Sequence, residues 1–121
     1  ALKFNPYSDQ VLINLGLVEQ RSKNFHLAEN YFLKAISVNA SNSEWFYLIG
    51  NFYFEKKDYD RAIFYYSKAL EINPKDTRTL FNLGQAYFEK GDTQRAKELW
   101  QDLLKKNPDF YQVKEKLLSI P

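Results

Sequence analysis

The 121-residue chain has no cysteine and no methionine, and its single histidine is His26. Without thiols there is no disulfide, no thiolate nucleophile and no sulfur metal ligand, and the redox compartment cannot be read. A lone histidine excludes a multi-histidine metal cluster and a Cys–His dyad. Neither sign of charge dominates: 17 basic side chains stand against 15 acidic ones, a formal net charge of +2. So small an excess implies no polyanionic partner. No apolar run approaches the roughly 18 residues of a membrane span, and the first residues carry no signal-peptide pattern. Membrane insertion is therefore not expected. Glycine and proline are scarce, four of each, and most of them have a place in a larger pattern.

That pattern recurs three times at a spacing of 34 residues, over 9–42, 43–76 and 77–110. Leu15, Ile49 and Leu83 fall at the seventh position of the unit, and Gly16, Gly50 and Gly84 at the eighth. Ala28, Ala62 and Ala96 hold the twentieth, and Phe32, Tyr66 and Trp100 the twenty-fourth. Ala35, Ala69 and Leu103 follow at the twenty-seventh, then Ala40, Pro74 and Pro108 at the thirty-second. A fixed period of this size marks a stacked repeat array, in which each unit buries its apolar face on the next and no single large core is needed. Residues 1–8 read as the remnant of a preceding unit, because Ala1, Asn5 and Pro6 match Ala69, Asn73 and Pro74 of the second copy. The chain is thus expected to be a segment of a longer repeat protein, with any targeting signal outside it.

Each unit holds two amphipathic stretches around a short polar break, the pattern of an antiparallel helical hairpin. In the second copy Trp45, Phe46, Ile49, Phe52 and Tyr53 recur at helical spacing, as do Ile63, Tyr66, Ala69, Leu70 and Ile72. Asn24, Asp58 and Asp92 share one position and are expected to cap the second helices. Asp76 is expected to cap a first helix, and Ser41 with Glu44 has capping-box spacing. Pro74 and Pro108 stand just past second helices, where proline cannot continue the hydrogen-bond ladder. Glycine in mid-helix costs roughly 1 kcal/mol relative to alanine. Close approach of the two helices, with the alanines at position twenty as the facing small surface, would offset that cost. Gly91 falls in a turn, so no glycine remains for a phosphate-cradling loop.

These residues resemble the tetratricopeptide repeat family, most fully in 43–76 through Phe46, Ile49, Gly50, Tyr53, Ala62, Tyr66, Ala69 and Pro74. The resemblance implies an all-α solenoid, a right-handed superhelix of helix–turn–helix hairpins. Departures from the pattern are Glu19 for a tyrosine, Ala40 for a proline and Leu103 for an alanine, and Leu118 stands at the glycine position of a fourth unit. Residues 111–121 are read as a terminal capping helix with Val113, Leu117, Leu118 and Ile120 on one side; truncation within a divergent fourth repeat is the rival account.

The same resemblance implies function without catalysis: a concave groove, lined by first helices, that binds a peptide or helical segment of a protein partner. The positions facing that groove in the family are here Ile13, Leu17, Tyr47, Asn51, Phe54, Arg78, Phe81, Gln85 and Phe88, with Asn82 beside them. Ile13, Leu17, Tyr47, Phe54, Phe81 and Phe88 would offer apolar anchors, Asn51, Asn82 and Gln85 would bond a ligand backbone, and Arg78 would meet an acidic group. The two-carboxylate clamp of chaperone-binding relatives is not expected. In its best register the chain presents Tyr47, Asn51, Asn82, Gln112 and Lys116, and only the two asparagines and a lysine match. No metal site, cofactor site or catalytic residue is expected; His26 reads as a surface residue near a helix start. RNA binding by related hairpins goes with a basic groove. Here Arg21 and Arg78 face Glu44, Glu55 and Glu89, so no nucleic acid partner is expected. Two further readings remain open: self-association through the exposed ends of the array, and recruitment of substrate for a larger enzyme.

Overall fold

The computed structural model describes residues 8–120. The remnant expected at 1–8 thus lies, but for Ser8, outside the described residues. These form seven α-helices and no strand: α1 Asp9–Arg21, α2 Phe25–Val38, α3 Ser43–Glu55, α4 Tyr59–Ile72, α5 Thr77–Lys90, α6 Thr93–Lys106 and α7 Tyr111–Ser119. Consecutive helices pack as hairpins, α1 on α2, α3 on α4 and α5 on α6; α4 packs broadly on α5, and α7 lies on α6. The architecture is an all-α helical repeat solenoid.

Local chemistry sets most helix ends. Asp58 and Asp92 cap α4 and α6 by accepting from the N–H groups of Arg61 and Arg95, and Asp76 caps α5 through the N–H of Arg78. Each satisfies a backbone donor that the helix leaves without a partner. Asn24 makes no such bond; its amide nitrogen instead donates to Glu19, 3.2 Å away. The capping box at Ser41 and Glu44 does not form either. Asn42, one residue later, is the cap and accepts from the N–H of Glu44, while the Ser41 hydroxyl donates to Asn39 Oδ1.

One backbone position recurs in all three hairpins. Lys23, Lys57 and Gly91 end the first helices' turns with φ of 66°, 64° and 102°. Only glycine adopts this left-handed region without a Cβ penalty, which is about 1–2 kcal/mol for other residues. Lys57→Gly is therefore expected to stabilise the fold by about 0.5–1 kcal/mol, after allowance for glycine's greater freedom in the unfolded chain. Urea denaturation checks this, and a loss of stability would contradict it.

The mid-helix glycines face rings, not the small surfaces expected of them. A Cβ on Gly16 or Gly50 would stand 2.5 Å from the ring of Phe32 or Tyr66, and one on Gly84 would strike the Trp100 indole. The aromatic at position twenty-four thus lies flat over a bare stretch of first helix. Ala28, Ala62 and Ala96 are themselves fully buried.

The core falls into two clusters. The larger runs from Leu12 through Phe32, Trp45, Phe52 and Tyr66 to Ala86; the smaller joins Ala96, Trp100, Leu103 and Val113. On α7, Val113 is fully buried and Leu117 and Ile120 pack beside it. Leu118 departs from the expected apolar side and is 86% exposed. At about 100° per residue it lies some 140° around the helix from Val113, too far to share a face.

Candidate functional site

The first helices present a row of side chains that the second helices hold from behind. Where α3 and α5 come together, Asn51, Phe54, Glu55, Asn82 and Gln85 line a cleft of about 480 Å³, with Tyr66 of α4 also in its wall. A second cleft of about 370 Å³ adjoins it, lined by Leu17, Gln20, Arg21, Lys23 and Glu55. Glu55 belongs to both. Four of the ten residues expected in the groove therefore meet in the first cleft, and Leu17 lies in the second.

A hydrogen-bonded group organises the first cleft. The Tyr66 hydroxyl donates to Asn51 Oδ1 at 2.5 Å, and Asn82 Nδ2 donates to the same oxygen at 3.1 Å. Asn82 Nδ2 also lies 3.4 Å from the Tyr47 hydroxyl oxygen. With both lone-pair directions of Asn51 Oδ1 taken, its amide nitrogen is turned away from Tyr66 and Asn82 and, among the described residues, has no acceptor for its two hydrogens. Burial pushes the Tyr66 phenol well above its ordinary pKa, so it stays protonated and remains a donor. Gln85 adds a carboxamide whose oxygen is buried without a partner.

Tyr66 is the residue that the sequence reading missed. At the same repeat position Phe32 and Trp100 are buried in the core, and the Trp100 indole N–H donates to the Phe81 carbonyl at 3.2 Å. The available signal was the hydroxyl itself, because a buried phenol needs a partner and Asn51 lies one helix back in the same hairpin.

Other expected groove residues are placed differently. Ile13 is 0% exposed and sits inside the larger core cluster, so it offers no surface to a ligand; its short branched side chain ends among its neighbours. Phe81 and Phe88 are half-buried, each with its ring 6.0 Å from that of Trp100, and Phe81 also stacks on Phe110. Both serve packing between α5, α6 and α7 before anything else.

Arg78 is already engaged. Its guanidinium donates to Glu44 at 2.7 Å and to Asp76 at 3.1 Å, and lies 4.2 Å from the centre of the Tyr47 ring. The Glu44 and then the Asp76 contact hold Arg78 firmly protonated. Burial alone would raise the Asp76 carboxyl, but hydrogen bonds from Arg78 and Thr79 bring it below the usual carboxylate range. Arg78 thus faces two carboxylates and carries no unspent positive charge for an acidic ligand. Glu55 is likewise held below its ordinary pKa, first by the Gln20 amide and then by Lys23, each 2.8 Å away.

His26 is exposed at the start of α2, and among the described residues no group of three acidic, histidine or cysteine side chains could hold a metal ion. None of the described helices is long and apolar enough to cross a membrane.

Two tetratricopeptide repeat profiles match the chain, over residues 13–77 and 53–117. No curated protein sequence matches it. Solved structures share its fold. MamA superposes with a TM-score of 0.83 at 19% identity, over 93% of this chain and 66% of that one. Pseudomonas aeruginosa pilF gives 0.82 at 24% identity, over 93% of this chain and 52% of that one. The chain therefore spans only about two thirds of the first and half of the second. The first TPR of Spaghetti, bound to an HSP90 peptide, gives 0.81 at 18% identity, over 97% of this chain and 93% of that one. At such identities the likeness concerns the fold.

Proposed function

This chain belongs to the tetratricopeptide repeat family, a protein–protein interaction module, and from that premise we propose that it is a non-catalytic scaffold holding an extended segment of a protein partner against α3 and α5. The observation that carries this is the first cleft, where the Asn51 amide is fixed in orientation by Tyr66 and Asn82 with its donors left over. A peptide backbone supplies the matching acceptor, and Phe54 on the same wall supplies an apolar contact. That no basic side chain lines this cleft among the described residues supports a protein partner over a nucleic acid.

The double variant Phe54→Ala, Asn82→Ala tests it. Used as bait beside the unmodified chain, it is expected to lose at least about tenfold in affinity for a captured partner, because the Asn51 amide loses the Asn82 bond that orients it and the partner loses one apolar anchor. Helicity by circular dichroism should be retained, since neither residue is in the fully buried core. Undiminished capture, or a partner footprint on α2 and α4 away from the cleft, would contradict the assignment.

Self-association is the second reading, favoured by Tyr111 and Leu118, which are 70% and 86% exposed on α7. Sedimentation over a concentration series separates the two, because a monomer at high concentration excludes it.

A further inference from the structure

Resting on the groove reading, we propose that the segment held in the first cleft carries a lysine or arginine whose cationic end is received beside Glu55. The argument is one of charge complementarity. Glu55 is the single charged side chain lining that cleft, among Asn51, Phe54, Tyr66, Asn82 and Gln85. Arg78, on the same helix as Asn82 and Gln85, faces two carboxylates, Glu44 and Asp76, so that group carries a net negative charge, and Arg21 lines the adjoining cleft and not this one. Among the described residues the only cation on Glu55 is Lys23, whose side chain is 71% exposed, and an exposed ion pair of that kind is weak enough to be exchanged.

Two further features fit a cation and not an anion. Gln20 donates through Nε2 to Glu55, and its carboxamide oxygen is buried without a donor among the described residues. Gln85 on the opposite side also has a buried oxygen without a donor. The terminal torsion of glutamine is soft, so the Gln85 oxygen can turn toward N–H groups arriving at Glu55, while Gln20 keeps its bond to Glu55. A guanidinium offers five such donors in a planar fork, and an ammonium three. Phe54 presents a ring on the same wall, and aromatic faces attract cations. Glu89 lies one turn beyond Gln85 on α5 and is exposed, which extends the negative potential along the groove.

The experiment is selection of a random dodecapeptide display library on the unmodified chain, on Glu55→Gln and on Asn82→Ala, followed by fluorescence anisotropy of the recovered peptides. Peptides selected on the unmodified chain should be enriched in one lysine or arginine. Changing that residue to glutamate should weaken binding by at least about tenfold, the scale of a charge-assisted hydrogen bond. Glu55→Gln should abolish the preference between the two peptides while leaving the melting temperature near that of the unmodified chain. Peptides that bind with an acidic or no charge preference, yet lose affinity in Asn82→Ala, would overturn the cation assignment and leave the groove reading standing. Peptides indifferent to both substitutions, or an empty selection, would overturn both.

Discussion

Trp100→Ala is expected to lower unfolding stability by about 3–5 kcal/mol, the usual cost of deleting a buried aromatic and leaving its cavity. Trp100 is 0% exposed and central to the smaller core cluster, where Ala96, Leu103 and Val113 surround it and Phe81 and Phe88 lean on its faces. The loss should be local. In a linear array each unit contacts mainly its neighbours, so stability is close to a sum of unit and interface contributions. The hairpin α5–α6 and α7 should therefore exchange amide protons quickly in the variant while α1 to α4 stay protected. Trp45, the remaining tryptophan, sits in the other cluster, and its fluorescence should report a denaturation midpoint above that of the C-terminal amides. A change below about 1 kcal/mol, or a single transition for the whole chain, would contradict this account.

Gly50→Val is expected to cost about 3 kcal/mol, near the upper end of ordinary overpacking. The first added carbon already falls 2.5 Å from the Tyr66 ring. That ring has no room to retreat: Tyr66 is 1% exposed, and its hydroxyl is tied to Asn51. The clash should therefore also disturb the cleft, releasing Asn51 from its fixed orientation. Denaturation midpoints measure the first effect, and chemical shifts of the Asn51 and Asn82 side-chain amides measure the second. Gly50→Ala should show the same signs at smaller amplitude, because alanine regains up to about 1 kcal/mol of helix propensity. Stabilisation by either substitution would mean that the helices of this hairpin are not held apart by the ring.

Features governed by near neighbours were legible in the sequence. The helical stretches follow from spacing of apolar residues, and the caps at Asp58, Asp76 and Asp92 follow from a side chain reaching its own backbone two or three residues on. Where two such solutions compete, the pattern is not enough: Asn42 displaced Ser41 as a cap, and Asn24 turned to Glu19. Groove positions carried over by resemblance were legible as places on α1, α3 and α5, but their chemistry was not. Ile13 and Leu17 look equivalent in the pattern, and one is sealed in the core while the other lines a cleft.

The repeat of 34 residues, read without any coordinates, determined the helical hairpins, their order and the family. It did so because period and polarity act along the chain, and any stacking of such units must respect them. Which side chains remain free for a partner was decided only on folding. Arg78 meets Glu44 from the unit before it, Tyr66 reaches Asn51 across a hairpin, and Glu55 is shared by two clefts. Those pairings span between 15 and 34 residues of sequence, and charge and hydrogen-bond capacity are spent or spared according to which distant groups the packing brings within 3 Å of one another.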